Sequence, residues 1–129
     1  MVDSTTIILD DNQVSNFQAL HNVLSLEKLS VARNNLVQID QITHLSNLRV
    51  LDLKENNIIS AEGLSNLTHL EWLCLSGNKI TDIRSLSKNT SLHHLDLSNN
   101  GITEIKDISS LIHLKTLLLE GNKLSSLKE

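Results

Sequence analysis

Apolar and polar residues alternate along the chain in short bursts, and each burst leads to an asparagine. Ile7 and Leu9 precede Asn12, Leu29 and Val31 precede Asn34, Leu51 and Leu53 precede Asn56, Leu73 and Leu75 precede Asn78, Leu95 and Leu97 precede Asn100, and Leu117 and Leu119 precede Asn122. The asparagines recur every 22 residues without an insertion. A period of two over so short a stretch predicts a strand with one buried face, so six short strands are expected. Two residues past each asparagine stands another apolar anchor (Val14, Leu36, Ile58, Ile80, Ile102, Leu124), and from there the apolar period becomes three. Phe17, Leu20 and Val23 continue it in the first turn, Ile39, Ile42 and Leu45 in the second, Ile105, Ile108 and Leu111 in the fifth. Residues i and i+3 lie over one another in a 3₁₀ helix, whereas an amphipathic α-helix needs the wider i, i+3, i+4, i+7 stripe. The segments between strands are therefore expected to be 3₁₀ or irregular.

A fixed period of this size is the mark of a solenoid, whose units cannot bury their apolar faces alone and must stack. The regular asparagine then has a physical reason. Where each strand ends and the chain bends inward, backbone groups are buried, and an amide with two donors and an acceptor can satisfy them across adjacent turns. The six asparagines are accordingly read as structural.

The stretch from Leu92 to Ile102 reads L-x-x-L-x-L-x-x-N-x-I and is followed by an I-x-x-I-x-x-L run at Ile105, Ile108 and Leu111. On these residues the chain resembles the 22-residue subclass of leucine-rich repeats, found in the regulatory subunit of type-one protein phosphatase, the axonemal outer-arm dynein light chain, centrosomal and ciliary proteins and bacterial internalins. The resemblance covers nearly the whole chain. It implies an α/β solenoid: a right-handed horseshoe of six turns with a parallel concave sheet and a 3₁₀ or irregular convex side. It also implies a habit of binding protein on the concave face, but no partner-specific residue set carries over.

Three positions depart from the repeat. Ser4 occupies the first leucine position of the first turn, Ala61 a column otherwise filled by larger residues, and Asn89 the column of Leu45, Leu67 and Leu111. The fourth turn is expected to be locally weaker, with Asn89 turned outward or bonded within the loop 87–91, because an unpaired buried amide costs on the order of 1–3 kcal/mol. The chain enters a repeat close to Met1 and stops partway through the sixth turn at Leu127, Lys128 and Glu129. Residues 1–129 are read as one domain cut from a longer protein; the alternative is self-capping by Asp3, Asp10 and Asp11 at one end and Lys123, Lys128 and Glu129 at the other.

Strand residues between the buried leucines form a grid on the concave face. One column runs Thr6, Lys28, Val50, Trp72, His94, Thr116; the next Ile8, Ser30, Asp52, Cys74, Asp96, Leu118; a third Asp10, Ala32, Lys54, Ser76, Ser98, Glu120. Trp72, the single tryptophan of the chain, falls at the middle of this face. With Val50, Cys74 and His94 beside it and Asp52 and Asp96 flanking Cys74, it has the makeup of an interface anchor with an acidic rim. The expected partner is a protein offering a basic and apolar contact segment. The alternative is a structural spacer with no binding site of its own.

Composition narrows the rest. A net charge of −4 with 20% charged residues lacks the basic footprint that nucleic acid or anionic membrane would require, so neither is expected as a partner. The single cysteine excludes an internal disulfide and a multi-cysteine zinc site, which points to an intracellular, cytoplasmic setting, with centrosome or cilium suggested by the resemblance. No secretory signal or membrane-length apolar run is present, so the acceptors at Asn66 and Asn89 are read as accidental. A monomer is expected. Cys74 and His94 are diagonal neighbours, yet a thiol between two carboxylates is a poor nucleophile, and His93 and His94 alternate in direction and cannot share an ion. His21, His44, His69 and His113 fall on convex turns as surface polar residues. No enzyme activity, cofactor or metal is expected.

Overall fold

The computed structural model describes residues 5–125. Six strands, β1 (Thr6–Ile8), β2 (Lys28–Ser30), β3 (Val50–Asp52), β4 (Trp72–Cys74), β5 (His94–Asp96) and β6 (Thr116–Leu118), make one parallel sheet in chain order. Each strand pairs with the residue one repeat on: Leu29 with Leu51, Leu51 with Leu73, Leu73 with Leu95. The 22-residue period is thus the register itself. The crossovers between successive parallel strands close the solenoid that the repeat predicts, right-handed as such crossovers are.

The convex side is built of 3₁₀ pieces at Gln18–Leu20, Asp40–Ile42, Leu64–Asn66, Arg84–Lys88 and Lys106–Ile108, as the period of three predicts. One bond recurs in all five turns: Leu20 N–H to Phe17 O (2.8 Å), Ile42 to Ile39 (3.2 Å), Leu64 to Ala61 (3.2 Å), Leu86 to Ile83 (3.0 Å) and Ile108 to Ile105 (3.2 Å). The third piece starts two residues late in the repeat. Gly63, at φ +96°, precedes it in a left-handed conformation that its counterparts avoid, and a Cβ there would stand 2.6 Å from Thr43 Cγ2.

The asparagine ladder is complete through the interior. Asn78 donates to Leu53 O and Leu75 O, both at 3.0 Å, and accepts from Ile58 N–H at 3.0 Å. Asn34, Asn56, Asn100 and Asn122 repeat this arrangement with the preceding turn. Asn12, at the first turn, donates only to Leu9 O and Asp10 O of its own turn. Immediately before each ladder asparagine the chain passes through positive φ: Asp11, Arg33, Glu55 and Asn99 at 56–59°, Gly77 at 72° and Gly121 at 75°. That single left-handed residue ends each strand and turns the asparagine inward, at a cost of about 1–2 kcal/mol wherever it is not glycine.

Asn89 corrects the expectation drawn from its position. It does not turn outward and does not bond its own loop; it is fully buried and donates to Leu64 O (2.8 Å) and Leu67 O (3.1 Å) of the turn before. Its Oδ1 is the buried side-chain oxygen left without a partner among the described residues. As a glycosylation acceptor it is inaccessible in the folded chain. Convex histidines and an asparagine carry a second set of bridges: His44 Nε2 lies 2.6 Å from His21 O, His69 Nδ1 3.2 Å from Ser46 O, and Asn47 Nδ2 donates to Leu24 O at 3.0 Å. Each reaches a carbonyl 23 residues earlier.

Leucines of the middle turns are inaccessible, whereas Ile7, Leu9, Leu117 and Leu119 of the outer turns are only partly covered. Asp10 accepts from Ser30 Oγ (2.7 Å) and Ala32 N–H (2.8 Å), and Asp11 pairs with Arg33 at 2.6 Å, so these acids tie the first turn to the second. Ser4, Asp3, Leu127, Lys128 and Glu129 lie outside the described residues.

Candidate functional site

The concave grid stands as the alternation predicts, with Val50, Trp72 and His94 side by side in one row and Asp52, Cys74 and Asp96 in the next. Adjacent strands bring equivalent side chains to about 4.8 Å, and the row's chemistry follows from that spacing. The Trp72 and His94 rings stack with centroids 5.0 Å apart and planes 4° from parallel. This contact leaves Trp72 half-buried, where the sequence predicts an open indole. The imidazole covers one ring face, and burial of a flat aromatic against a second ring contributes about 0.5–1.5 kcal/mol beyond area.

Cys74 does not join the exposed surface. The residue is only 4% exposed, because a small thiol sits between two longer aspartates on the adjacent strands. Burial pushes the thiol up to about 12; the Ser76 amide acts against this, and Asp52 and Asp96 add to it. The direction agrees with the expectation from the two carboxylates, but desolvation is the larger cause. Sγ lies 3.7 Å from Asp96 Oδ2, while His94 is engaged with Trp72, so the Cys74–His94 diagonal holds no activated nucleophile.

Asp52 and Asp96 are half-buried and each has a structural bond that the sequence did not signal: Asp52 Oδ1 accepts from Lys54 N–H at 3.1 Å, and Asp96 Oδ1 from Ser98 N–H at 3.0 Å. An aspartate two residues before a strand-end amide closes the turn locally. The second oxygen of Asp96 lies against the Cys74 thiol, and the two carboxylates together give the face its negative charge. Outside the rows, Arg49 pairs with Glu71 at 2.7 Å, and His93, exposed rather than directed to the core, stacks with His113 at 6.1 Å. Among the described residues no group of three or more His, Cys, Asp or Glu side chains could hold a metal ion, and no helix is long and apolar enough to cross a membrane.

Two family models match the chain. One, described as leucine rich repeats in two copies, matches residues 68–110 and 90–129; the other, described as leucine rich repeat, matches residues 24–80. No curated protein matches it. Among solved structures it is similar to an internalin (inlF) of Listeria monocytogenes, with 25% identity, a TM-score of 0.91, and coverage of 95% of this chain and 36% of that one. An internalin C2 of the same organism shares 25% identity over 94% of this chain and 63% of that one, with a TM-score of 0.80. A leucine-rich-repeat protein of Leptospira interrogans shares 31% identity over 91% of this chain and 32% of that one, with a TM-score of 0.82. The chain thus spans 36% and 63% of the two internalins it matches.

Proposed function

The chain belongs to the leucine-rich-repeat family, and from that premise we propose that it is a protein-interaction module whose concave face binds a partner around Trp72. The observation that carries the reading is the Trp72–His94 stack at the centre of the sheet, bordered by Val50 and by the acids Asp52 and Asp96. Aromatic anchors with a polar rim are where binding energy concentrates, and the acids suit a partner with Arg or Lys beside an apolar side chain. Cys74, being covered, contributes to the floor rather than to contact. An intracellular setting belongs to the same proposal and rests on the single unpaired thiol; a cytoplasmic, centrosomal or ciliary place within it rests on the resemblance alone.

The spacer reading draws on the same stack, since Trp72 against His94 would also brace β4 against β5. Pull-down with wild type and Trp72→Ala separates the two. As an anchor, Trp72→Ala weakens binding by about 2 kcal/mol or more, while the protein stays folded and loses only the stack and the partial burial of the indole, about 1–2 kcal/mol. Undiminished capture by a folded Trp72→Ala protein would reject the concave site. Asp52→Ala and Asp96→Ala should slow association mainly at low salt.

A further inference from the structure

After each ladder asparagine the chain crosses from the sheet to the convex side, and the third residue on is exposed in every turn: Ser15, Val37, Ile59, Thr81, Thr103 and Ser125. Four of these six carry small hydroxyls, which shows that the fold asks for nothing larger there. The two aliphatic ones are neighbours. Asn57 N–H donates to Leu36 O at 2.8 Å, which locks turns two and three together just before Val37 and Ile59, and the two side chains remain 45% and 56% exposed. They line a cavity of about 380 Å³ together with Thr43 and Gly63, with Asp40 and Glu62 at its rim.

The rim position also changes character along the solenoid, running Gln18, Asp40, Glu62, Arg84 and Lys106. The two cations are held by acids of their own turns, Arg84 by Asp82 at 2.7 Å and Lys106 by Glu104 at 3.6 Å. Asp40 and Glu62 have no ion-pair partner among the described residues. Uncompensated carboxylates beside an exposed aliphatic pair are confined to turns two and three.

We propose that this flank is a second protein-docking surface, separate from the concave face, and that it takes a partner segment presenting an aliphatic side chain with an arginine or lysine next to it. The aliphatic group seats between Val37 and Ile59 and the cation meets Asp40 and Glu62. A cavity of this size suits one such side chain rather than a folded domain. A second copy of this chain is disfavoured as occupant because the patch is not self-complementary: it would set carboxylates against carboxylates. An anionic lipid surface is disfavoured by the same two charges.

The test is a titration of methyl-labelled protein with synthetic peptides carrying a central Leu-Arg or Ile-Lys pair, against matched peptides with glutamate in place of the cation. Saturable shifts at the Val37 and Ile59 methyls are expected with the cationic set and none with the acidic set. The double variant Val37→Thr, Ile59→Thr should weaken binding about tenfold or more, as should Asp40→Lys with Glu62→Arg. These substitutions use residue types the chain itself carries at the equivalent positions of turns four and five, so folding is retained. Trp72→Ala should leave this binding unchanged, which separates it from the concave site. The proposal is overturned by absent shifts across the panel, by equal shifts from the acidic set, or by binding that survives the threonine pair. Methyl shifts that instead track vesicle binding or self-association in sedimentation would overturn it as well.

Discussion

Both sides of the solenoid are stitched turn to turn by side-chain amides, but the concave edge and the convex side use them differently. At the concave edge Asn78 accepts from the Ile58 N–H, which has no backbone acceptor, and donates to Leu53 O and Leu75 O, each of which also accepts from a neighbouring ladder asparagine, Asn56 or Asn100. On the convex side Asn89 donates to Leu64 O and Leu67 O, which already accept from Leu67 N–H (2.9 Å) and Leu70 N–H (3.2 Å) within their own 3₁₀ turn. Its oxygen finds no donor. The same side chain is indispensable in one place and redundant in the other. What decides is not how many bonds it makes but whether its partners would be orphaned without it.

The sharpest way to break this comparison is Asn78→Leu. It should leave the buried Ile58 N–H without a partner, and Leu53 O and Leu75 O with one ladder amide each instead of two, at a cost of about 2–3 kcal/mol in urea unfolding. A loss below about 1 kcal/mol would mean that water or slack in the backbone replaces the ladder. Next in size is Gly77→Ala, at the left-handed position just before Asn78. A Cβ there would lie 3.1 Å from Glu55 Cγ, and the strain of positive φ adds to this, so about 1–2 kcal/mol is expected. Asn89→Leu, which restores the residue type of its column, should change stability by less than about 1 kcal/mol, with a gain as the expected sign. A large loss would show that the bonds to Leu64 and Leu67 are needed after all.

The smallest effect at neutral pH concerns Cys74, which tests how dry the concave edge is. Its thiol is protonated at pH 7 in both folded and unfolded chains, so it contributes no pH dependence there. Because the folded thiol is pushed up to about 12 from 9.0, the unfolded state releases its proton first, and stability should fall as pH rises from 9.0 towards 12. Subtracting the same curve for Cys74→Ala isolates the effect; coincident curves would mean that the thiol is hydrated.

How much of this was legible in the chain depended on the kind of statement. A repeat of constant length makes residues 22 apart equivalent, so the register Leu51–Leu73–Leu95, the ladder positions and the three-residue convex period followed from pattern alone. Equivalence does not settle what happens when the residues in a column differ. The sequence could place Cys74 and Trp72 on the concave face, but not that the thiol would sink between two aspartates or that the indole would lie flat on His94, since both depend on the sizes of neighbours in other turns. Nor could it show the left-handed residue before each asparagine: Asp11, Arg33, Gly77 and Asn99 share a backbone angle rather than a side-chain type. Asn89 is the clearest division between the two. Its sequence position marked it as an exception, and only the stacked third and fourth turns supplied carbonyls close enough to draw a polar amide into an apolar column.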